Sequence, residues 1–300
     1  MDVNSYKPNG SLNKKHLVSL QNYTEEEIYE ILKAAKEISD RLAAGEKQTS
    51  LKNKYIYLIT KSGFSRSRIA FETAVSKLSG TYTVSTLHGL EIDGILKDKL
   101  SMAAIAEYGV NAIVVRTEMS TDAELLEKTV ELPVINANPK NGPCEALAAL
   151  LTVWEKKGRL SGLKVATIGK ADEFADGFIY AFIKCGADVT VICPEDEAPD
   201  EKVTGYCAQY GGIAVTADIV KGVSDADVIF VSEDGFPKEF TLTEDLLEYA
   251  KPNVVVLHSL PLKEDGGNVT EEVINSKNFA ALAQAINLQK IIMAALCLLV

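Results

Sequence analysis

Arg66 and Arg68 alternate with Ser65 and Ser67 in the stretch "SGFSRSRIAFETA", just after the apolar run "YIYLIT" and at the start of a segment of helical period. Guanidinium groups and hydroxyls at a helix N-terminus meet free backbone N–H groups and the positive end of the helix dipole, a combination that suits a small oxyanion. The same residues also suit an ordinary solvated first turn. Arg116 closes a second apolar run, "NAIVVR", where it reads equally as a surface arginine. His258 closes a third, "NVVVLH", ahead of Ser259, Leu260 and Pro261, and a structural turn accounts for it. His16 and His88 have no partner pattern.

The five cysteines, Cys144, Cys185, Cys193, Cys207 and Cys297, lie mostly inside apolar stretches and show neither C-x-x-C nor zinc-ligand spacing. They read as reduced, buried thiols, and no metal or other cofactor is expected. The 31 basic and 42 acidic residues leave a net charge of −11, which gives no general attraction to nucleic acid or to an anionic membrane. Any anionic ligand must therefore be held by a local cluster. The opening "MDVNSYKPNGSLNKK" lacks the apolar core of a signal peptide, so a cytoplasmic location is expected. The closing "IIMAALCLLV" is apolar throughout but too short to cross a bilayer, and it reads as a buried closing helix.

Apolar Val- and Ile-rich runs alternate with segments of helical period across the 300 residues. That is the pattern of parallel sheets covered by helices on both faces. Strands are expected at 54–60, 81–86, 111–116 and 132–136, then at 163–168, 187–193, 212–216, 227–232 and 253–258. Between the two groups runs a strongly apolar helix from near Pro143 to Gly158. The fold class expected is α/β, with two doubly wound parallel-sheet domains joined by inter-domain helices. The domains are expected at 1–150, completed by a C-terminal helix at 280–300, and at 151–279. In open α/β sheets ligands sit at the carboxyl ends of strands. That rule directs Lys61 to Arg68, Arg116, Asn136 to Pro143, Gly169 to Glu173, Ser232 to Pro237 and His258 to Pro261 toward a cleft between the domains. The segment after "LKVATI" has Gly169 and Gly177 but no G-x-G-x-x-G, and no P-loop motif occurs, so nucleotide binding is not expected.

The order of these pieces resembles the aspartate and ornithine carbamoyltransferase family, the ornithine branch most closely. The likeness runs nearly end to end. "SRSRIAFETAVSKLSG" is similar to the family's S-T-R-T-R phosphate loop and following helix, and "NAIVVR" to the strand ending in its second phosphate-site arginine. "PVINANPKNGPCEALAALLTVWEKKGRLSGLKVATIG" follows the run through H-P-C-Q and the inter-domain helix, and "ADVIFVS", "HSLP", "NVTEEVI" and "QKIIMAAL" complete the series.

The resemblance implies a homotrimer in which carbamoyl phosphate binds first and an amino-acid amine then attacks its carbamoyl carbon. Such chemistry needs oxyanion clamping, carbonyl polarisation and positioning more than covalent help. It places Ser65, Arg66, Ser67, Arg68 and Arg116 at the donor phosphate, each charge-assisted contact contributing roughly 1.5 to 3 kcal/mol. It gives Arg66, Arg116 and His258 catalytic positions, and Glu145, Ser259 and Leu260 positions in the substrate site.

Several family positions depart. Phe64 replaces the first loop serine and is either a packing residue or a block on the phosphate site. H-P-C-Q reads Gly142, Pro143, Cys144, Glu145, which removes the histidine that donates to the carbamoyl oxygen and puts a carboxylate in place of an amide. Losing one such donor costs about 10²- to 10³-fold in rate. Glu145 also suits the first turn of the following helix as a simple dipole partner. The family's D-T pair falls on Ser101 and Met102, near a Lys97 to Lys99 stretch too divergent to align. On the acceptor side Ser232 and Phe236-Pro237 stand where the ornithine branch has an aspartate and a Ser-Met pair. Two functions are therefore expected in parallel. One is a divergent carbamoyltransferase, acting on a small phosphate-bearing anion with an altered acceptor and without ordinary ornithine or aspartate activity. The other is an inactive paralogue that senses an anion or assembles with an active enzyme.

Overall fold

The structure, a computed structural model, describes residues 2–61, 65–87, 94, 97–117, 120–138, 142–170, 175–232, 236–262 and 267–300. Two compact units form: Lys7–Leu147 with Leu288–Val300, and Met1–Tyr6 with Ala148–Asn287. The first residues group with the second unit because Asn4 Oδ1 accepts from Trp154 Nε1 at 3.0 Å and Asn4 Nδ2 donates to the Gly158 carbonyl at 2.6 Å.

The first unit opens with α1 (Glu25–Ala43), whose start is fixed by a capping box: Thr24 accepts from the Glu27 N–H and Glu27 accepts from the Thr24 N–H. Then follow β1 (Tyr55–Lys61), α2 (Ser65–Lys77), β2 (Thr81–Leu87), α3 (Lys99–Glu107), β3 (Val110–Arg116), α4 (Ser120–Thr129), β4 (Val134–Asn136) and α5 (Pro143–Lys157). The second unit continues with β5 (Lys164–Ile168), α6 (Tyr180–Lys184), β6 (Asp188–Ile192), α7 (Glu201–Cys207), β7 (Ala214–Thr216), α8 (Ile219–Val223) and β8 (Val228–Val231). It ends with α9 (Glu244–Leu247), β9 (Val255–His258) and α10 (Glu271–Ile274), and α11 (Ala281–Leu299) closes the chain.

All pairings between these strands are parallel, with order β2-β1-β3-β4 in the first unit and β7-β6-β5-β8-β9 in the second. In both sheets the winding reverses beside the first strand, between β1 and β3 and between β5 and β8. These are the switch points where the loops leaving adjacent strands diverge and open a crevice. Nearly continuous burial along β1, β3, β5, β8 and β9 explains their unbroken Val and Ile runs. β7, at a sheet edge, keeps two of its three residues exposed.

The core of the first unit packs Tyr57, Ile59, Ile113 and Val115 from the sheet against Met102, Ala123 and Leu126. The second unit's core joins Ala166, Ile168, Ile229, Val231 and Val256 to Phe240, Leu242 and Val273. α11, at Ala281–Leu299, fills the helix expected at 280–300 and extends well beyond the ten-residue apolar tail. At 19 residues and a mean hydropathy of 1.6 it is long and apolar enough by length and composition to cross a membrane, and half of it is buried within the protein. Its polar side chains are used in packing. Asn287 Nδ2 donates to Thr152 Oγ1 at 2.9 Å and Glu155 Oε2 at 2.8 Å, and Gln289 Oε1 accepts from Lys77 Nζ at 2.6 Å.

Candidate functional site

Arg116 is the last residue of β3 and pairs in register with Thr60 of β1, so it stands directly at the first sheet's switch point. Its side chain is buried, and one terminal nitrogen, Nη1, donates to the Ala137 carbonyl just beyond β4. The neighbouring Thr117 donates from both its backbone N–H and its hydroxyl to Asn138 Oδ1. Asn136 braces the same corner: Oδ1 accepts from the Asn138 N–H at 3.0 Å and Nδ2 donates to the Val18 carbonyl at 2.9 Å. The hydrogen bonds of Thr117, Asn136 and Asn138 hold this strand end in one geometry.

Arg66 enters from the other side of the switch point, in the first turn of α2. Its Nη2 lies 3.9 Å from Glu145 Oε1, while Arg116 Nη2 lies 3.6 Å from the same oxygen. Glu145, on the first turn of α5, is only 11% exposed, Arg116 6% and Arg66 36%. One carboxylate oxygen thus faces two guanidinium groups. Ser67 is buried one residue farther along α2. Arg68 follows a different course: its Nε donates to Glu72 at 2.7 Å along the exposed face of the helix. Ser65 begins α2, and Phe64 lies outside the described residues.

Position 142 has no room for the histidine of H-P-C-Q. A Cβ at Gly142 would fall 2.0 Å from the Asn138 carbonyl oxygen and 2.9 Å from its carbon, both backbone atoms. Glycine is a steric requirement at position 142. Cys144 is fully buried, and burial pushes its thiol up to about 12, Glu145 adding to the rise and Arg116 opposing it. It remains a thiol at neutral pH and is not an activated nucleophile. Ser101 donates to Asp98, which caps α3, and Met102 is part of the core.

The second unit holds the other candidates. His258 ends β9, buried, and its Nδ1 donates to the carbonyl oxygen of the adjacent Ser259, a local turn contact. Ser259 and Leu260 follow it, and the Leu260–Pro261 bond is cis. Ser232, just past β8 at the second switch point, donates its N–H to the Ile168 carbonyl at 2.9 Å. Phe236 packs on Phe240, ring centroids 5.4 Å apart, at the margin of the core. The Phe236 side chain is committed to packing.

Two family models match this chain: "Aspartate/ornithine carbamoyltransferase, carbamoyl-P binding domain" over residues 15–155 and "Aspartate/ornithine carbamoyltransferase, Asp/Orn binding domain" over residues 161–299. The chain belongs to the aspartate/ornithine carbamoyltransferase family. Among its relatives, the anabolic ornithine carbamoyltransferase of Pyrococcus furiosus is 34% identical over 296 residues, covering 92% of this chain and 93% of that protein. The ornithine carbamoyltransferase of Pyrococcus abyssi is 33% identical over the same length, with the same coverage of 92% and 93%. A solved structure of ornithine carbamoyltransferase from Pyrococcus furiosus matches with a TM-score of 0.86 at 33% identity, covering 96% of this chain and 97% of that one. The crystal structure of aspartate transcarbamoylase from Trypanosoma cruzi in complex with carbamoyl phosphate shares the fold, with a TM-score of 0.83 at 20% identity over 99% of both chains.

Of the residues that the resemblance places at a donor site, the structure brings Arg66, Arg116 and Glu145 together in one unit and directs Arg68 to Glu72. Sequence reasoning missed the brace formed by Thr117, Asn136 and Asn138. Its only signal is "NAN" at the end of a buried strand, two asparagines too polar for that depth unless hydrogen-bonded.

Proposed function

We propose that this carbamoyltransferase-family protein binds a small phosphate-bearing anion, carbamoyl phosphate or a related acyl phosphate, at the switch point of its first sheet. Arg66 and Arg116 are the main contacts, and Ser65, Ser67 and the leading N–H groups of α2 supply further donors. The observation that carries this reading is the convergence of two guanidinium groups on one oxygen, Glu145 Oε1, at 3.9 and 3.6 Å. Two forks aimed at one point fit a multi-oxygen anion better than a solvated helix start. Arg68 takes part by exchanging its Glu72 partner for the ligand.

Transfer proceeds to an amine other than the ordinary ornithine or aspartate acceptors. Gly142 supplies no donor to the carbamoyl oxygen, and Phe236 is packed into the core margin where an amino-acid contact stands in the ornithine branch. Ser259 and the Leu260 carbonyl remain for a smaller or differently charged amine, and His258 positions their turn through its bond to Ser259. The family resemblance supports a homotrimer, and the buried free thiols support a cytoplasmic location.

A second reading, an inactive paralogue that senses the anion, is favoured by the carboxylate facing both arginines. A citrulline-forming assay with carbamoyl phosphate and ornithine tests both. Turnover at least ~10²-fold below that of ordinary enzymes is expected, from the missing donor alone. Ordinary turnover would overturn the altered-acceptor proposal and the inactive reading together.

A further inference from the structure

We infer that Glu145 is a tethered competitor for the anion: its carboxylate takes the ligand's place between Arg66 and Arg116 in the free protein, and the incoming anion must displace it. The inference rests on the anion-site reading and deepens it. The separations of 3.9 Å from Arg66 Nη2 and 3.6 Å from Arg116 Nη2 are longer than the roughly 2.7 to 2.9 Å of a closed charge-assisted hydrogen bond. Glu145 therefore neutralises the two cations without locking onto either, which is what an exchangeable occupant requires.

The surroundings favour displacement of the side chain and not of the backbone. Cys144 and Ala146, on either side, are buried, so the first turn of α5 is anchored. Arg116 is fixed at Nη1 by the Ala137 carbonyl, leaving Nη2 as the nitrogen that faces the carboxylate. Arg66 is 36% exposed and gives the anion its approach. A phosphate carries more charge and more acceptor oxygens than a carboxylate, so it outcompetes Glu145, but with reduced net affinity because an internal charge must be moved or accommodated. The family's amide at this position would impose no such cost.

Calorimetric titration with inorganic phosphate at low ionic strength decides the matter, using the full chain as native protein, Glu145→Gln, Glu145→Asp and Arg66→Ala. Glu145→Gln is expected to bind phosphate about tenfold or more tightly than the native protein. Glu145→Asp, which keeps the charge but withdraws it by one methylene, should fall between them. Equal or weaker binding in both Glu145 variants, with Arg66→Ala still weakening binding, would overturn the competitor while leaving the anion site intact. Binding that is indifferent to Arg66→Ala in every background would overturn the anion site and with it this inference.

Discussion

Arg116 Nη2 lies 3.6 Å from Glu145 Oε1, linking the carboxyl end of β3 to the first turn of α5 through two side chains of at most 11% exposure. A pair this buried is costly to break from one side, because the partner left behind keeps its desolvation penalty and loses its compensation. Arg116→Ala is predicted to destabilise the first unit by about 3 kcal/mol. The double variant Arg116→Ala/Glu145→Gln should be less destabilised than the sum of its parts, by about 1 to 3 kcal/mol. Urea unfolding of the four proteins measures this coupling; simple additivity would mean the two groups do not interact.

Gly142 faces a steric limit rather than a chemical preference. Restoring histidine there, Gly142→His, places a Cβ against the Asn138 carbonyl that the structure puts 2.0 Å away. The variant should lose about 1 to 3 kcal/mol of stability and gain no citrulline-forming activity. A thermal melt and the colorimetric assay suffice, and a stable, activated variant would refute the steric account.

His16 sits where a strand edge depends on its neutral form, since Nδ1 accepts the Val134 N–H at 3.2 Å. Burial lowers its pKa below the ordinary 6.5, with Glu127 opposing, Lys15 adding and Glu131 opposing. The unfolded chain therefore binds the proton more readily than the folded one. The stability at stake is fully present above 6.5 and is lost as pH falls through the depressed folded value. Urea midpoints should fall between about pH 7.5 and pH 5.5, and His16→Leu should flatten that dependence. An unchanged slope in the variant would assign the pH dependence elsewhere.

In the second unit Asp227 accepts from Lys251 Nζ at 2.7 Å and from the Lys164 N–H at 3.1 Å, and Lys157 Nζ stands 3.7 Å away. Burial pushes Asp227 up, but the Lys251 and Lys164 hydrogen bonds and the lysine charges outweigh it and hold the carboxyl below its ordinary value. Asp227→Asn leaves the buried Lys157 with less compensation and is predicted to cost about 3 kcal/mol. Chemical denaturation at neutral pH checks the value. The native contribution should be present above 3.8 and disappear as pH falls through the lowered pKa.

The strands were legible because parallel strands buried on both faces must be apolar throughout. "NAIVVR" and "NVVVLH" state their own boundaries to within two residues. The helix from Pro143 was legible too, with Gly158 following its end at Lys157. α11, expected at 280–300 and found at 281–299, was legible as well, although its first half, "ALAQAINLQ", carries the polar Asn287 and Gln289, whose hydrogen bonds exist only after folding. The site was half legible. Arg66 announces itself as a cation at a helix start and Arg116 as one at a strand end, but that Glu145 faces both depends on the switch point, which draws α2, β3 and α5 together from distant parts of the chain. Arg68 could not be told from Arg66 in "SRSR" until the helix phase sent one to Glu145 and the other to Glu72.

The most direct test is the affinity for carbamoyl phosphate of native protein and Arg66→Ala, measured by calorimetry in the same buffer. Arg66 is part-exposed and its removal leaves the Arg116–Glu145 pair in place, so a lost contact registers in binding and not in folding. A loss of about tenfold or more is predicted for the variant. Equal affinities would contradict an anion site at the start of α2.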